Sequence, residues 1–542
     1  MKKHNIVKVV LITLFVFLLL SWIFPAAYYS GQYVDQGRTQ MGLFDFFNYP
    51  VTSLSYFGYI SLFIILVGGF YGILYKIPAY RVFLNKIAKC FKGKEMLFVS
   101  LVVVLSAFAV SFCGLQIGLL FFAPLVVSVI LLLGYDKIVA AMAIVGSTCA
   151  GIAGSTYSYS NLNMLTSTLS IKLGYQIGVR LVILLVGIAL VIFNIYMYVK
   201  RNGKVKIQKV SSVNDDKKLD VVEEVEVKKE TKTTSTSTKT KTGSKSSSKK
   251  GGSKSSSKKS TKSSKSRKSD NKAALKDDDV IVVKGSEDDY YVPGEVSTNH
   301  STWPFVVGFI LIFVLLILAF ITWGENGFKI TLFDNVTKAV TEFKLFGFPI
   351  FGKLLGTINS FGNWTIADLS LPIVLFALLL ALIYKVKFDD VLDGFAEGAK
   401  KALCPAFVVV LIYTGLVIVT YHPFQLVLYK AILGWTKGFN IVTTVLIVML
   451  SSIFNSDIAY SIQSVMPYYV TVITNSDKYQ FIAVIYQSIY GFTMLFAPTG
   501  LILMSVLAFL KITYCQWLKA IWKLLLEFFV VLLIIFIILA MI

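Results

Sequence analysis

Residues 138–170 read IVAAMAIVGSTCAGIAGSTYSYSNLNMLTSTLS, and this stretch decides the fold. Its first half is apolar enough to cross a membrane. Its second half, Gly151-Ile152-Ala153-Gly154-Ser155-Thr156-Tyr157-Ser158-Tyr159-Ser160-Asn161, is crowded with hydroxyls, amides and glycines. The stretch is too long and too polar for a simple span. A helix that enters the bilayer, unwinds and restarts accounts for both properties. Non-helical backbone is tolerated at membrane depth where it is buried in protein or lines a cavity.

The rest of the chain supplies the membrane. Of 542 residues, 56% are hydrophobic, and the mean hydropathy is +0.72. Apolar runs of about 18 or more residues read as spans, and they recur from residues 6–26 to 517–542. A soluble domain would need a core of uninterrupted apolar helices, which excludes that class. The formal charge of +22 reflects cytoplasmic loops and one low-complexity segment, so no specific nucleic-acid partner is expected. Cys90, Cys113, Cys149, Cys404 and Cys515 are scattered. They indicate neither a disulfide framework nor a metal site. The run after Met1-Lys2-Lys3-His4 is long for a signal peptide, and it reads as an uncleaved first helix.

Lys and Arg orient the spans. Lys2 and Lys3 put the N-terminus in the cytoplasm, as do the basic residues of 76–94 for that loop. The C-terminus is then outside. Four regions follow: a first transmembrane half, 1–199; a Lys/Ser/Thr-rich cytoplasmic linker, 200–300; an extra helix and external loop, 301–370; and a second half, 371–542. The linker lacks the apolar residues that would offset its ordering entropy and is expected to be disordered. Its lysines suit anionic lipid heads. Within the second half, 388–401 reads as a charged cytoplasmic helix and 402–421 as a separate outward span.

Both halves run helix, helix, hairpin with a polar tip, broken helix, helix, and they begin in opposite directions. The expected fold is therefore all-α and integral to the membrane. It has two inverted-topology repeats, each with a re-entrant hairpin and a broken helix, as in secondary transporters.

Four polar breaks supply the candidate binding residues. The first tip offers Ser111, Gly114 and Gln116; the first break offers Gly154, Ser155, Thr156, Asn161 and Asn163. The second tip offers Asn455, Ser456, Asp457 and Ser461; the second break offers Pro498, Thr499 and Gly500. Half-helix N-termini suit a carboxylate. Unwound carbonyls and hydroxyls suit Na⁺ or H⁺ as a coupling ion. Small residues of these types also serve simple helix packing. Asp457 is an acid at membrane depth, where ionisable groups are costly and functional; it binds a cation, a proton or a substrate amine, or is merely solvated near the outer surface. Arg180 is expected to snorkel at an outer helix end. Glu527 is expected to pair with Lys523 one turn earlier. No nucleotide loop or H-E-x-x-H appears, and neither catalytic residues nor a cofactor is expected.

Several segments resemble the YfcC family, in the C4-dicarboxylate anaerobic carrier-like group of the ion transporter superfamily. Trp22-Ile23-Phe24-Pro25-Ala26 is similar to that family's W-I-x-P-A-G. Gly134-Tyr135-Asp136-Lys137-Ile138-Val139 with Ala153-Gly154-Ser155-Thr156 resembles its G-Y-D-x-I-V and A-G-S-T. Pro498-Thr499-Gly500 with Leu503-Met504 resembles its P-T-(S)-G-x-L-M. The second tip departs: Ser456-Asp457-Ile458-Ala459-Tyr460-Ser461 stands where the family has P-S-G-S-G-Q. Tyr157-Ser158-Tyr159 likewise replaces the asparagine-proline that follows A-G-S-T. The resemblance covers nearly the whole chain apart from 200–300. It implies elevator-like uptake or exchange of small carboxylates, either C4-dicarboxylates or amino acids such as arginine and ornithine. It also implies a homodimer. Two rivals are a membrane-embedded enzyme, which needs a His/Asp/Glu cluster at one face, and a membrane anchor or scaffold presenting the basic loop. Loss of function on deleting 205–298 distinguishes the scaffold.

Overall fold

The computed structural model describes residues 5–203, 301–324, 327–356, 358–436 and 438–541. The linker assigned to 200–300 lies outside the described residues beyond Gly203. Among the described residues the chain is mostly helical, and seven helices are long and apolar enough to cross a membrane.

The longest two organise the rest. Helix α2 spans Leu43–Lys76 and α14 spans Phe388–Tyr421, each of 34 residues. Ser53 Oγ donates to Val410 O (2.8 Å) and Ser61 Oγ to Ala406 O (3.1 Å), so the helices pack antiparallel. In a bilayer there is no hydrophobic drive between helices, and small residues that let backbones touch take its place. Two such patterns face each other here: Gly68-x-x-x-Gly72 and Gly394-x-x-x-Gly398. A Cβ on Gly72 would lie 2.8 Å from the Gly398 Cα and collide with the Gly394 carbonyl oxygen. A 3.0 Å ion pair, Lys76–Glu397, closes one end of this crossing.

Helix α1 (Asn5–Ile23) packs on α14 and leads into a two-stranded hairpin, β1 (Ala26–Tyr29) and β2 (Tyr33–Gly37). No sequence signal announces this hairpin. Ala27 N–H donates to Pro423 O (3.1 Å), and the Lys430 ammonium sits 3.7 Å from the centre of the Tyr33 ring. Burial and the nearby Asp35 carboxylate raise the Tyr33 phenol above its ordinary range. His422 has two partners, Tyr49 OH on Nε2 (2.8 Å) and Thr39 O on Nδ1 (2.7 Å). It thereby ties the hairpin's exit to both long helices.

The first half continues through α3 (Pro78–Cys90), α4 (Glu95–Cys113), a 3-10 turn (Gly118–Phe121) and α5 (Ala123–Leu132). Helix α6 (Lys137–Ala141) passes through a π-turn (Met142–Gly146) into α7 (Ser147–Ala153); α8 (Tyr159–Thr168) and α9 (Ile177–Asn202) follow. Beyond the linker come α10 (Trp303–Phe320), the short α11 (Leu332–Glu342) and α12 (Ile350–Leu355), then α13 (Ser370–Ile383). After α14 come α15 (Gln425–Leu433), α16 (Ile441–Phe454), α17 (Ile458–Val472), α18 (Tyr479–Thr493), α19 (Leu501–Leu510) and α20 (Tyr514–Met541). Exposed leucines such as Leu375 and Leu379 on α13 and Leu526 on α20 form the apolar outer surface.

Three local expectations are corrected. Residues 388–421 form one helix rather than a surface helix and a span. The charged side chains of its first turns face outward while Gly394 and Gly398 pack. Arg180 does not snorkel: it is fully buried, stacked on Tyr175 at 4.0 Å, with Nη2 donating to Leu173 O. Glu527 does not pair with Lys523; its Oε2 accepts from Asn194 Nδ2 on α9 (2.6 Å). That neighbouring amide offers a hydrogen bond at bilayer depth, where a wet surface pair is not available.

Candidate functional site

Four interruptions of the helical backbone come together. Helix α4 stops because Gly114 turns left-handed (φ 75°) and donates back to Val110 O. Only glycine serves here, since a Cβ would also meet the Ser158 Oγ at 2.5 Å and collide with that of Ser160. The turn is stitched to the gap between α7 and α8. Ser111 Oγ donates to Gly154 O (2.7 Å), and Thr156 N–H returns to Ser111 O (2.8 Å). Ser158 caps the N-terminus of α8 by accepting from Asn161 N–H.

A chain of amides runs on from this seam. Gln116 Nε2 donates to Asn161 Oδ1 (2.6 Å), and Asn161 Nδ2 donates to Ser155 Oγ (3.2 Å). Behind them Gln487 of α18 donates to Ala153 O (3.3 Å) and Ser155 O (3.2 Å), and it accepts from Tyr175 OH at 2.5 Å. Ser488 Oγ adds a second bond to Ala153 O (3.0 Å). The carbonyls freed where α7 ends are therefore met by side-chain donors, as buried acceptors require.

The breaks of the second half carry their own hydrogen bonds. Asn455 Nδ2 donates to Ser451 O (3.0 Å) and Gln425 Oε1 (3.2 Å). Ser461 Oγ sits 2.7 Å from both Ser451 Oγ and Tyr486 OH. Thr499 Oγ1 donates to Ile453 O (2.7 Å), joining the α18–α19 gap to the α16–α17 turn. Asp457 is the N-cap of α17: its Oδ1 accepts from Ala459 N–H (2.8 Å) and Tyr460 N–H (3.4 Å). Gly500 is the N-cap of α19, and no side chain caps that helix.

Between these seams lies a cavity of about 180 Å³. Of the sequence candidates, Gly114, Gln116, Asn161, Ser456, Asp457 and Gly500 line it. Ser111, Gly154, Ser155, Thr156, Asn455, Ser461 and Thr499 are buried but lie behind the wall, most of them holding its backbone. Gly154 packs against Leu184, 2.6 Å from where a Cβ would stand. Pro498 is half-buried off the cavity, and Asn163 is exposed on α8. Thr148, Cys149, Ser160, Tyr413 and Tyr490 also line the cavity, although sequence reasoning had not singled them out. Tyr490 OH donates to Ser456 O (3.1 Å). Among the described residues, Asp457 is the only carboxylate in the lining, and no Lys, Arg or His joins it.

The sequence pattern of the C4-dicarboxylate anaerobic carrier family, DcuC, matches residues 4–241 and 276–541. An uncharacterized protein of Haemophilus influenzae is 31% identical over 142 residues, 26% of this chain and 28% of that protein. The matched stretch thus spans under a third of the relative's length. The solved YdaH transporter of Alcanivorax borkumensis aligns over 99% of this chain and 97% of its own, at 13% identity and a TM-score of 0.35.

Proposed function

The chain belongs to the C4-dicarboxylate anaerobic carrier family, which makes it a membrane transporter and not an enzyme, and from that premise we propose that it moves a small carboxylate-bearing metabolite through the cavity at the four breaks by secondary active transport. The observation that carries this reading is the convergence itself. Both turns, and the helix ends that flank both gaps, reach one cavity whose mostly apolar wall carries Gln116, Asn161, Ser456 and Asp457. Half-helix N-termini aimed at such a cavity favour an anionic group.

In this reading the two halves are inverted repeats. What supports it is the matching series of elements: α2 with α14, α4 with α16, α8 with α19 and α9 with α20, the first pair both 34 residues long. The α2–α14 pair is the frame, and the elements around the cavity are the moving block of an elevator-like cycle. Na⁺ or H⁺ is the coupling ion, and the transporter works as a homodimer in the cell membrane, with the linker's lysines against anionic lipid heads.

The deciding experiment uses the full chain in liposomes loaded with one solute and supplied outside with the same solute, labelled. Arginine, ornithine and succinate are each run with and without Na⁺ and with and without a pH gradient. Accumulation of at least one above empty liposomes is expected. No accumulation of any carboxylate would remove the transporter reading of the cavity.

Sidedness has its own test. Cys90 on α3 and Cys515 on α20 are exposed, and both fall at predicted cytoplasmic ends. A membrane-impermeant maleimide is expected to leave intact cells' protein unlabelled and to label it in inside-out vesicles. Labelling from outside reverses the orientation.

A further inference from the structure

We infer that the segment 328–355, between α10 and α13, is a membrane-surface anchor: the exposed apolar arc of α11 and the Phe346 turn beyond it enter the lipid leaflet at which α10 ends. The anchor stands independently of what the cavity carries.

Three arcs run along α11, as the 3.6-residue period of a helix sets them. Phe333, Asp334, Thr337 and Thr341 are half-buried and face the protein. Asp334 accepts from Ser360 Oγ, and a Cβ on Gly352 of α12 would collide with Thr341 O. Leu332, Val336, Ala339 and Val340 form an exposed apolar arc, and Asn335, Lys338 and Glu342 form an exposed polar one. A surface helix in water turns its apolar arc to the protein. Helix α11 does the reverse: three of its four protein-facing residues are polar, and its apolar arc is left open. An apolar flank beside a charged one is the form of a helix lying in a bilayer interface.

The turn after α11 points the same way. Leu345 and Phe348 exchange both backbone hydrogen bonds at 3.0 Å, which leaves Phe346 and Gly347 as a two-residue tip. Both have positive φ, 52° and 79°. Such a tip suits Asn-Gly, and a bulky residue is strained there. Phe346 nonetheless occupies it and is 100% exposed, and Phe348 and Leu354 are exposed as well. Water offers nothing to offset a strained, fully exposed phenylalanine, whereas hydrocarbon does. The bilayer is within reach. Trp323 lies three residues past the end of α10, and Phe333 packs on it with ring centres 5.0 Å apart. Tryptophan marks the membrane–water boundary, so α11 is tied to that level. The flanking helices α10 and α13 present exposed apolar side chains such as Ile310 and Leu375, and the arc on α11 extends that lipid-facing surface at its edge. Lys329, Lys338 and Lys344 are exposed and supply the cations that an interfacial helix turns to the headgroups.

The test uses the full chain, carrying Cys90→Ser, Cys404→Ala and Cys515→Ser, in liposomes of phosphatidylethanolamine and phosphatidylglycerol. A nitroxide is placed on one new cysteine at a time: Val336→Cys, Phe346→Cys or Lys338→Cys. All three positions are exposed, and each variant must elute as the parent does. Electron paramagnetic resonance reads collision with oxygen, which concentrates in hydrocarbon, and with a water-soluble nickel chelate. The oxygen-to-nickel ratio at 336 and 346 is expected to exceed that at 338 by about fivefold or more, as for side chains about 5–10 Å into the leaflet. Equal, low ratios at all three positions place the segment in water and overturn the inference. Low access of both reagents at 336 and 346 shows a protein partner there, such as a second copy, and overturns it too. If Phe346→Cys fails to elute as the parent does, position 336 against 338 decides.

Discussion

Gly72→Val is expected to leave almost no folded protein. The added Cβ would collide with the Gly394 carbonyl oxygen and lie 2.8 Å from the Gly398 Cα and N. These are backbone atoms of a facing helix, so no rotamer change relieves the contact. Ordinary overpacking costs about 1–3 kcal/mol because neighbouring side chains yield. Here two 34-residue helices must separate along their crossing, which releases the Ser53 and Ser61 bonds as well. A loss above about 4 kcal/mol places the variant in the range that unfolds marginally stable proteins. The measurement is detergent size-exclusion with a fluorescent tag, followed by a melting curve. Gly58→Ala is the control: its Cβ would meet only the flexible Leu54 side chain of its own helix, at 3.2 Å. A Gly72→Val protein that elutes and melts like the parent would remove the α2–α14 crossing as the organising contact.

Gln487→Leu is expected to damage both stability and transport. The glutamine amide serves three groups: the Tyr175 hydroxyl, Ala153 O and Ser155 O. Ser488 continues to serve Ala153 O in the variant. The Tyr175 hydroxyl and Ser155 O lose their partner, and an unpaired buried polar group costs about 1–3 kcal/mol. The expected loss for the two groups is therefore about 2–6 kcal/mol. Transport falls at least tenfold, because the Ser155 backbone carries the hydroxyl that positions Asn161, and Asn161 positions Gln116 at the cavity. Tyr175→Phe removes one of the three bonds and leaves the Gln487 Oε1 without its donor, and it is expected to cost about 1–3 kcal/mol. Melting temperature and exchange rate are read together. A Gln487→Leu protein within about 1 kcal/mol of the parent, exchanging at its rate, shows that the first gap does not depend on this amide.

Most spans were legible because long apolar runs have one cheap solution in a bilayer, a helix. Boundaries were less so where composition changes inside an element. Charged residues up to Lys401 followed by Pro405 look like a junction. The chain nevertheless stays helical through both, because Gly394 and Gly398 on one face pack while the acids face out. The hairpin at 26–37 was hidden because its strands have four and five residues and no alternating pattern. At the cavity, polar residues inside apolar runs marked where backbone departs from helix. The residue type did not say which way each side chain faces, so Ser111 and Ser456 read alike although only Ser456 meets the cavity. Tyr413 and Tyr490 were unreadable for the opposite reason, since tyrosine in an apolar helix is indistinguishable from packing. Gln487 carries no signal either: its acceptors lie more than three hundred residues away in the chain.

That separation has a consequence for how the protein is made. Ala153 and Ser155 leave the ribosome 334 and 332 residues before the amide that satisfies their carbonyls. At translation speeds of roughly 5–20 residues per second, the delay is on the order of 15–70 seconds. During that time the first half sits in the bilayer with bare acceptors at the end of α7, a state hydrocarbon penalises. The nascent first half must wait with water, lipid headgroups or an insertion factor at that seam. Splitting the gene between the halves and delaying the second product would lengthen the wait, and proteolysis of the first product would report it.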